Sequence, residues 1–589
     1  MISEDKIQQD LAALKTIALA HKAPGTDLET ESAVIDGQQL DVFKHVPRNL
    51  GEVYALGLQT ADRTFLVYQE ERFSFGDSIQ MARSLARVLQ QRYEIAHGDR
   101  VAICARNSPE WCIAYMATTL IGAIVVPMNS WWSGAELEYG LRDSGARLLF
   151  ADPTRLQQVE PYIAKLGIAE LGLDVIAIKP ERELPYPEFY ELAATQPPLS
   201  DREIAELNVQ PEDAASIMYT SGSTGEPKGV LSTHRNITHA LYTWKFVKEI
   251  TEILRPELVE ENPEFDPAIL ANVPLFHVTG SHAQFLASFL YQRKFVMMYK
   301  WDADVALQLI ESERISVFHG VPTMTWELMN SPHFAAADLR SLRSVQSGGA
   351  PRPPEHLTLM LDRFPAIAIP GLGYGLTETN AIGAIISGQF YQARPNSTGR
   401  PSPPVTAIKI SDEAGNSLPD GEVGEICIQG PTVMKGYWSK PEATAAVIRD
   451  GWFHTGDIGM LDKLGFLIIL DRAKDIVIRG GENIGCAEVE YAISEHPAVS
   501  EVSVYGIPDD RLGEVPCATI MLKPQSELNA AELHRFLQGR IAAFKIPQKV
   551  FFQAEQLPRI ATGKIAKKLL RQQTIEILST AASSTQPQS

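Results

Sequence analysis

The sequence predicts an α/β protein: a large N-terminal domain of helix-covered parallel sheets with a β-rich subdomain, followed by a small α+β domain. Three observations predict it. From Phe65 onward short apolar runs alternate with amphipathic stretches, at Phe65 to Tyr68, Val101 to Cys104, Ala123 to Val126, Arg147 to Phe150, Ser216 to Tyr219 and Phe295 to Met298. That is the pattern of parallel strands joined by helical crossovers. After Pro395 the texture changes to short strands with glycine turns, as in VTAIKISDEAGNSLPDGEVGEICIQG, which is hairpin chemistry. At Asp471 the chain restarts with the charged turn DRAKD and continues as a compact unit of about a hundred residues. The expected domains are therefore 1–470 and 471–589, with 579–589 a polar, flexible tail.

The totals agree with this division. A chain of 589 residues exceeds the roughly 250 to 300 residues at which single cores stop growing. With 53 basic and 72 acidic residues the net charge is 53 − 72 = −19, which argues against coating nucleic acid or anionic lipid. Five scattered cysteines, Cys104, Cys112, Cys427, Cys486 and Cys517, show no metal spacing and suit a reducing, cytoplasmic compartment.

In chain order, the start MISEDKIQQDLAALKTIALAHK lacks a basic n-region and reads as an amphipathic helix. Trp111 to Met128 is uncharged and long enough to span a membrane. Gly122 and Pro127 divide it into a buried helix ending near Ile121 and a strand, Ala123 to Val126. The segment 248–267 is acidic and broken by proline, as a surface insertion would be.

The chemistry centres on YTSGSTGEPKGV, Tyr219 to Val230, which follows the buried strand-like run Ala214 to Met218. Gly222, Gly225 and Gly229 let the backbone approach an anion, Ser221, Ser223 and Thr224 add donors, and Lys228 adds a point charge. The loop is built for a polyphosphate. It is not a Walker A loop, because Lys228 precedes a glycine and no Ser or Thr follows. In GYGLTETN, Gly373 to Asn380, Glu378 offers oxygen to a hard cation and Thr377 a hydroxyl to a phosphate. In HTGD, His454 to Asp457, a carboxylate on a tight turn suits both hydroxyls of a ribose, or is simply a turn aspartate.

Taken in this order the stretches resemble the adenylate-forming superfamily: acyl-CoA synthetases, adenylation domains of peptide synthetases, and beetle luciferases. The resemblance runs from about Leu50 to Leu570. It includes PLFHVTG (Pro274 to Gly280) as the acyl-site strand, DRAKDIVIRGGENIGCAEVE (Asp471 to Glu490) as the hinge and CoA-side loop, and PRIATGKIAKK (Pro558 to Lys568). It implies ATP and CoA as co-substrates, Mg²⁺, and a carboxylic acid as the substrate.

By position, Ser221, Gly222, Ser223, Thr224, Gly225 and Lys228 would hold the phosphates. Gly349, Ala350, Pro351, Tyr374 and Gly375 would frame the adenine. Asp457 and Arg472 would take the ribose, Thr377 the α-phosphate, and Glu378 with Thr224 the Mg²⁺. Lys474 would be the hinge about which a mobile C-terminal domain turns, Gly480 and Gly481 the pantetheine side, and Lys564 the catalytic lysine, with Thr224 and His277 beside it in catalysis. His277 would gate the acyl pocket, or is a packed histidine at a strand end. Two places depart from the family: Gly485-Cys486 stands where an aromatic or serine and then proline are usual, and Arg559-Ile560-Ala561 is atypical before Thr562-Gly563-Lys564.

The small residues Gly280, Ser281, Ala381 and Gly383, with no obvious charged selector, favour a medium- or long-chain fatty acid. An aryl acid is the alternative, as is transfer of the acyl group to a carrier-protein thiol. A nucleotide-regulated binding module would have lost Lys564 or Glu378. Peripheral membrane contact and a homodimer are left open.

Overall fold

Two parallel sheets and the helices between them share one core. The protein's structure, a computed structural model, describes residues 3–166, 172–179, 185–220, 226–259, 264–350, 352–472, 476–479, 482–509, 511–559 and 564–584. A seven-stranded sheet runs Gly436–Tyr437, Lys228–Thr233, Ala214–Thr220, Ile124–Pro127, Arg100–Cys104, Leu148–Ala151, Asp174–Ala177. A nine-stranded sheet runs Arg400–Pro401, Ala384–Ser387, Ile369–Tyr374, Ser344–Gly348, Val317–Gly320, Ala268–Ala271, Lys294–Met297, Thr64–Tyr68, Glu71–Ser74. The six strands from Ile369–Tyr374 to Thr64–Tyr68 pair in parallel, and the strands outside them at either end pair antiparallel. Strands covered on both faces must be apolar at every position, and Leu148–Ala151 and Ala268–Ala271 are buried throughout.

The uncharged stretch predicted to be helix then strand folds that way. Ser108 caps the helix Pro109–Leu120, Pro109 takes its first turn, and all twelve residues are buried. At about 1.5 Å per residue it reaches about 18 Å, well short of the roughly 30 Å of a bilayer core. Gly122, at φ +72°, turns the chain into Ile124–Pro127. Trp111 and Tyr115 meet Phe285 edge-on, which ties this helix to the second sheet's layer. Among the described residues no helix is long and apolar enough to cross a membrane.

The β-rich layer contains the expected hairpin, Ala407–Ser411 against Gly424–Gln429, extended by Trp452–Leu461 and Leu467–Arg472. The C-terminal domain pairs Val499–Asp509 with Gly513–Leu522 and adds Lys549–Gln553 in parallel. It has a core of its own around Val489, Ile493, Val504, Ile520 and Leu533.

Four expectations change. The acidic segment 248–267 is not all insertion: the helix His234–Leu254 carries its first third, with Lys248 and Glu252 paired one turn apart. The last helix, Lys567–Ser584, runs past the expected start of the tail at 579, because an alanine- and serine-bearing stretch can prolong a helix already docked by its first turns. PLFHVTG is not a strand. The strand Ala268–Ala271 ends before it, and Thr279–Leu286 already forms a π-helix. HTGD is not a tight turn but a bulge inside the strand Trp452–Leu461. Cys427 pairs with His454 and Glu425 with Ile458, so the two steps from Glu425 to Cys427 face four from His454 to Ile458, with Gly456 at φ +72° inside the bulge.

Candidate active site

Ser344–Gly348 and Ile369–Tyr374 are neighbouring parallel strands, and the chain leaves them at Gly349 and Gly375. Both glycines therefore lie on the carboxyl edge of the sheet, where open α/β sheets take their ligands. Gly349 has φ +78°, and Lys564 Cε lies 3.7 Å from where a Cβ would stand. A lysine of the C-terminal domain is thus laid on the first turn of the site. Burial, and then the Arg472 guanidinium, pull its amine down to about 8, while Asp457 pulls the other way.

Asp457 is buried on the bulge, and both its oxygens are engaged. Tyr374 donates its hydroxyl to Oδ2 at 2.6 Å, and Arg472 Nε lies 3.1 Å from Oδ1. The bulge is pinned from behind: Thr455 Oγ1 donates to the Ile426 carbonyl and accepts from the Asp457 N–H, and the Gly456 N–H donates to Glu425. Gly375 is required for a different reason, since a Cβ there would stand 2.4 Å from the Ala381 backbone.

Thr377 opens the single 3₁₀ turn Thr377–Thr379 just beyond this strand and is only partly buried, as is Ala350. Glu378 is buried and accepts from the Tyr437 hydroxyl at 2.9 Å. Burial pushes its carboxyl up, and among the described residues no lysine or arginine stands at ion-pair distance from it. A buried carboxylate with neutral donors and no paired cation fits a hard cation shared with substrate phosphates. Lys228 begins the strand Lys228–Thr233, and its Nζ lies over the Tyr437 ring at 5.1 Å. Tyr437 therefore links Lys228 to the Glu378 carboxylate.

His277 sits in the loop between Ala268–Ala271 and the π-helix. Asn107 holds that loop, donating to the Val273 carbonyl and accepting from the Leu275 N–H at 2.9 Å. Gly280 lets it fold tightly, since a Cβ there would meet the Pro274 carbonyl oxygen at 2.3 Å. Burial, and then Lys564, depress the imidazole to about 3, so it is neutral at physiological pH, and its Nε2 is buried without a partner.

The structure thus gathers Lys564, Gly349, Tyr374, Asp457 and Arg472, places His277 beside Lys564, and joins Glu378 to Lys228. Ser221, Gly222, Ser223, Thr224, Gly225, Pro351, Lys474, Gly480 and Gly481 lie outside the described residues. Sequence reasoning missed Tyr437 and Asn107. Neither belongs to a spacing that signals chemistry, and each matters only through a partner distant in the chain.

A cavity of about 430 Å³ opens at the seam of the two domains, lined by Arg106, Trp131, Tyr299, Lys300, Trp301 and Arg559 among others. The Arg106 guanidinium stacks 4.0 Å from the Trp131 ring centre, and its Nε is buried without a partner. Across the same seam Gln556 donates to Glu327 at 3.2 Å, and within its own domain to Glu501 at 3.5 Å.

Comparison with known proteins identifies the arrangement. Residues 56–438 match the family model "AMP-binding enzyme", and residues 488–564 match "AMP-binding enzyme C-terminal domain". The chain is 36% identical to a feruloyl-CoA synthase of Amycolatopsis sp over 84% of this chain and 92% of the relative. It is 34% identical to a long-chain-fatty-acid–CoA ligase of Bacillus subtilis over 87% of this chain and 92% of the relative. Among solved structures, ATP-bound MatB from Rhodopseudomonas palustris superposes with a TM-score of 0.77 at 28% identity, covering 90% of this chain and 99% of that one. The chain belongs to the AMP-binding enzymes of the adenylate-forming superfamily and is an acid–thiol ligase.

Proposed function

We propose that this enzyme activates a medium- or long-chain fatty acid with ATP as an acyl-adenylate and transfers the acyl group to CoA. The observation that carries the reading is Lys564 resting on Gly349, within the field of Asp457 and Arg472. A carboxylate must attack the α-phosphorus of ATP, so negative charge has to be offset on both reactants. In this reading Lys564 offers its charged amine to the carboxylate and α-phosphate, Thr377 donates to that phosphate, and Asp457 fixes the ribose so that attack is in line. Lys228 and the phosphate loop hold the departing pyrophosphate. Glu378, with Thr224, would hold Mg²⁺, which when bound neutralises phosphate charge. Neutral His277 bounds the acyl side without adding a competing charge.

The second half-reaction needs a thiol at the same carbonyl. Lys564 occupies the site now, so the C-terminal domain is proposed to turn about Lys474 and bring Gly480 and Gly481 to the pantetheine. The cavity at the seam, basic and aromatic, suits the phosphorylated adenosine end of CoA. An aryl acid is the second reading, favoured by the similarity to a feruloyl-CoA synthase. Pyrophosphate release measured over a panel of fatty and aryl acids, with and without CoA, tests both. Turnover with aryl acids alone would overturn the fatty-acid reading, and release of ADP and phosphate would overturn the mechanism.

A further inference from the structure

On the far side of the ribose bulge, Glu425, Cys427 and His454 bring a carboxylate, a thiol and an imidazole within 4.8 Å of one another. The strands dictate the grouping. Cys427 and His454 are cross-strand partners, and Glu425, two residues before Cys427, shares its face of the sheet. His454 Nδ1 lies 2.7 Å from Glu425 Oε2 and 3.3 Å from Cys427 Sγ.

That nitrogen is over-subscribed, because Arg449 Nη2 also approaches it to 2.6 Å. If Nδ1 carries the proton, it serves Glu425 and faces a second donor. If it does not, it accepts from Arg449 and faces a carboxylate oxygen. No tautomer satisfies both neighbours. What the three side chains surround is a position for a positive charge, which the half-exposed Arg449 now fills from solvent.

We propose that Glu425 Oε2, Cys427 Sγ and His454 Nδ1 form a binding site for a thiophilic divalent cation, Zn²⁺ by the chemistry of its donors. Bonds of about 2.0 to 2.3 Å in tetrahedral geometry set donors roughly 3.2 to 3.8 Å apart, so His454 Nδ1 and Cys427 Sγ at 3.3 Å already stand in range and Nδ1 and Glu425 Oε2, at 2.7 Å, must part by about half an ångström. Ser411 Oγ, 3.2 Å from the sulfur, borders the fourth position. On binding, Arg449 swings out and the Cys427 proton leaves to solvent. A nucleophilic cysteine is the poorer reading. Sulfur and carboxylate converge on the same imidazole nitrogen, so no relay runs through the ring, and burial pushes the thiol up.

Co²⁺ is the probe. Titrated into the reduced full-length protein, it should bind one equivalent with a near-ultraviolet thiolate-to-cobalt band that Zn²⁺ bleaches. Cys427→Ser should lose the band although Cys104, Cys112, Cys486 and Cys517 remain. Arg449→Ala, which removes a competing charge at an exposed position, should tighten Co²⁺ binding about tenfold. Absence of the band, or an equal band in Cys427→Ser, overturns the site. Should Cys427→Ser fail to fold by circular dichroism, unchanged or weaker Co²⁺ binding in Arg449→Ala overturns it instead.

Discussion

Tyr374 donates its phenol to one oxygen of Asp457 at 2.6 Å while Arg472 holds the other at 3.1 Å, so the carboxylate is aimed before any nucleotide arrives. Burial, and then Asp457 itself, push the Tyr374 hydroxyl up, which keeps it a donor throughout the working pH range.

Asp457→Ala should weaken ATP binding by about 1.5 to 3 kcal/mol for each bond lost to the charged group, and Tyr374→Phe by about 1 kcal/mol. Calorimetric titration with a non-hydrolysable ATP analogue measures both. An unchanged affinity in folded Asp457→Ala would place the ribose elsewhere.

Lys564→Ala should lose about 10² to 10³ in the rate of acyl-adenylate formation while keeping thioester formation from supplied acyl-AMP and CoA. The two half-reactions are assayed separately on one preparation. Equal losses in both would remove the support for a domain turn that carries Lys564 away.

The amine of Lys564, drawn down to about 8, sets an alkaline limb. The charged form is the useful one, so kcat/KM for adenylation should fall as pH rises through about 8, and Lys564→Arg should move that limb beyond the accessible range. Stability follows the opposite sign. The folded pKa lies below the unfolded 10.5, so the charge costs stability below about 8, and that cost fades as pH climbs to 10.5. Lys564→Met should therefore unfold at a higher temperature than wild type at pH 7, with the gap closing near pH 10. His277, depressed to about 3, should contribute no limb between pH 5 and 7.

Gly280→Ala places a methyl 2.3 Å from the Pro274 carbonyl oxygen, which the loop cannot relieve without moving His277. A cost of about 1 to 3 kcal/mol is expected, read by chemical denaturation, together with a raised KM for the acid. Wild-type values of both would show that the loop is slack.

The sequence made the layered architecture legible because strands buried on both faces must be written as uninterrupted apolar runs, as at Val101 to Cys104. The glycines at Gly349 and Gly375 were legible because the first takes a left-handed φ and the second a backbone approach too close for a side chain. The bulge at Thr455 to Asp457 was not, because it depends on a four-to-two mismatch with Glu425 and Cys427, and mispairing leaves no local mark. The contact of Tyr437 with Glu378 and Lys228 was hidden likewise: a tyrosine on a short edge strand looks the same whatever it meets. The fate of segment 248–267 was misread because charge repels a core but not the exposed face of a long helix.

Gln556 has a consequence for how the enzyme responds to its medium. It joins Glu327 of the large domain to Glu501 of its own as a neutral amide, so parting this one contact separates no pair of opposite charges. Salt, which loosens ion pairs within a Debye length of about 8 Å at physiological strength, has little to act on here. This contact should hold nearly as well in concentrated salt as in dilute buffer, so that any ionic-strength dependence of the domain turn arises where Lys564 leaves the field of Asp457 and not at Gln556.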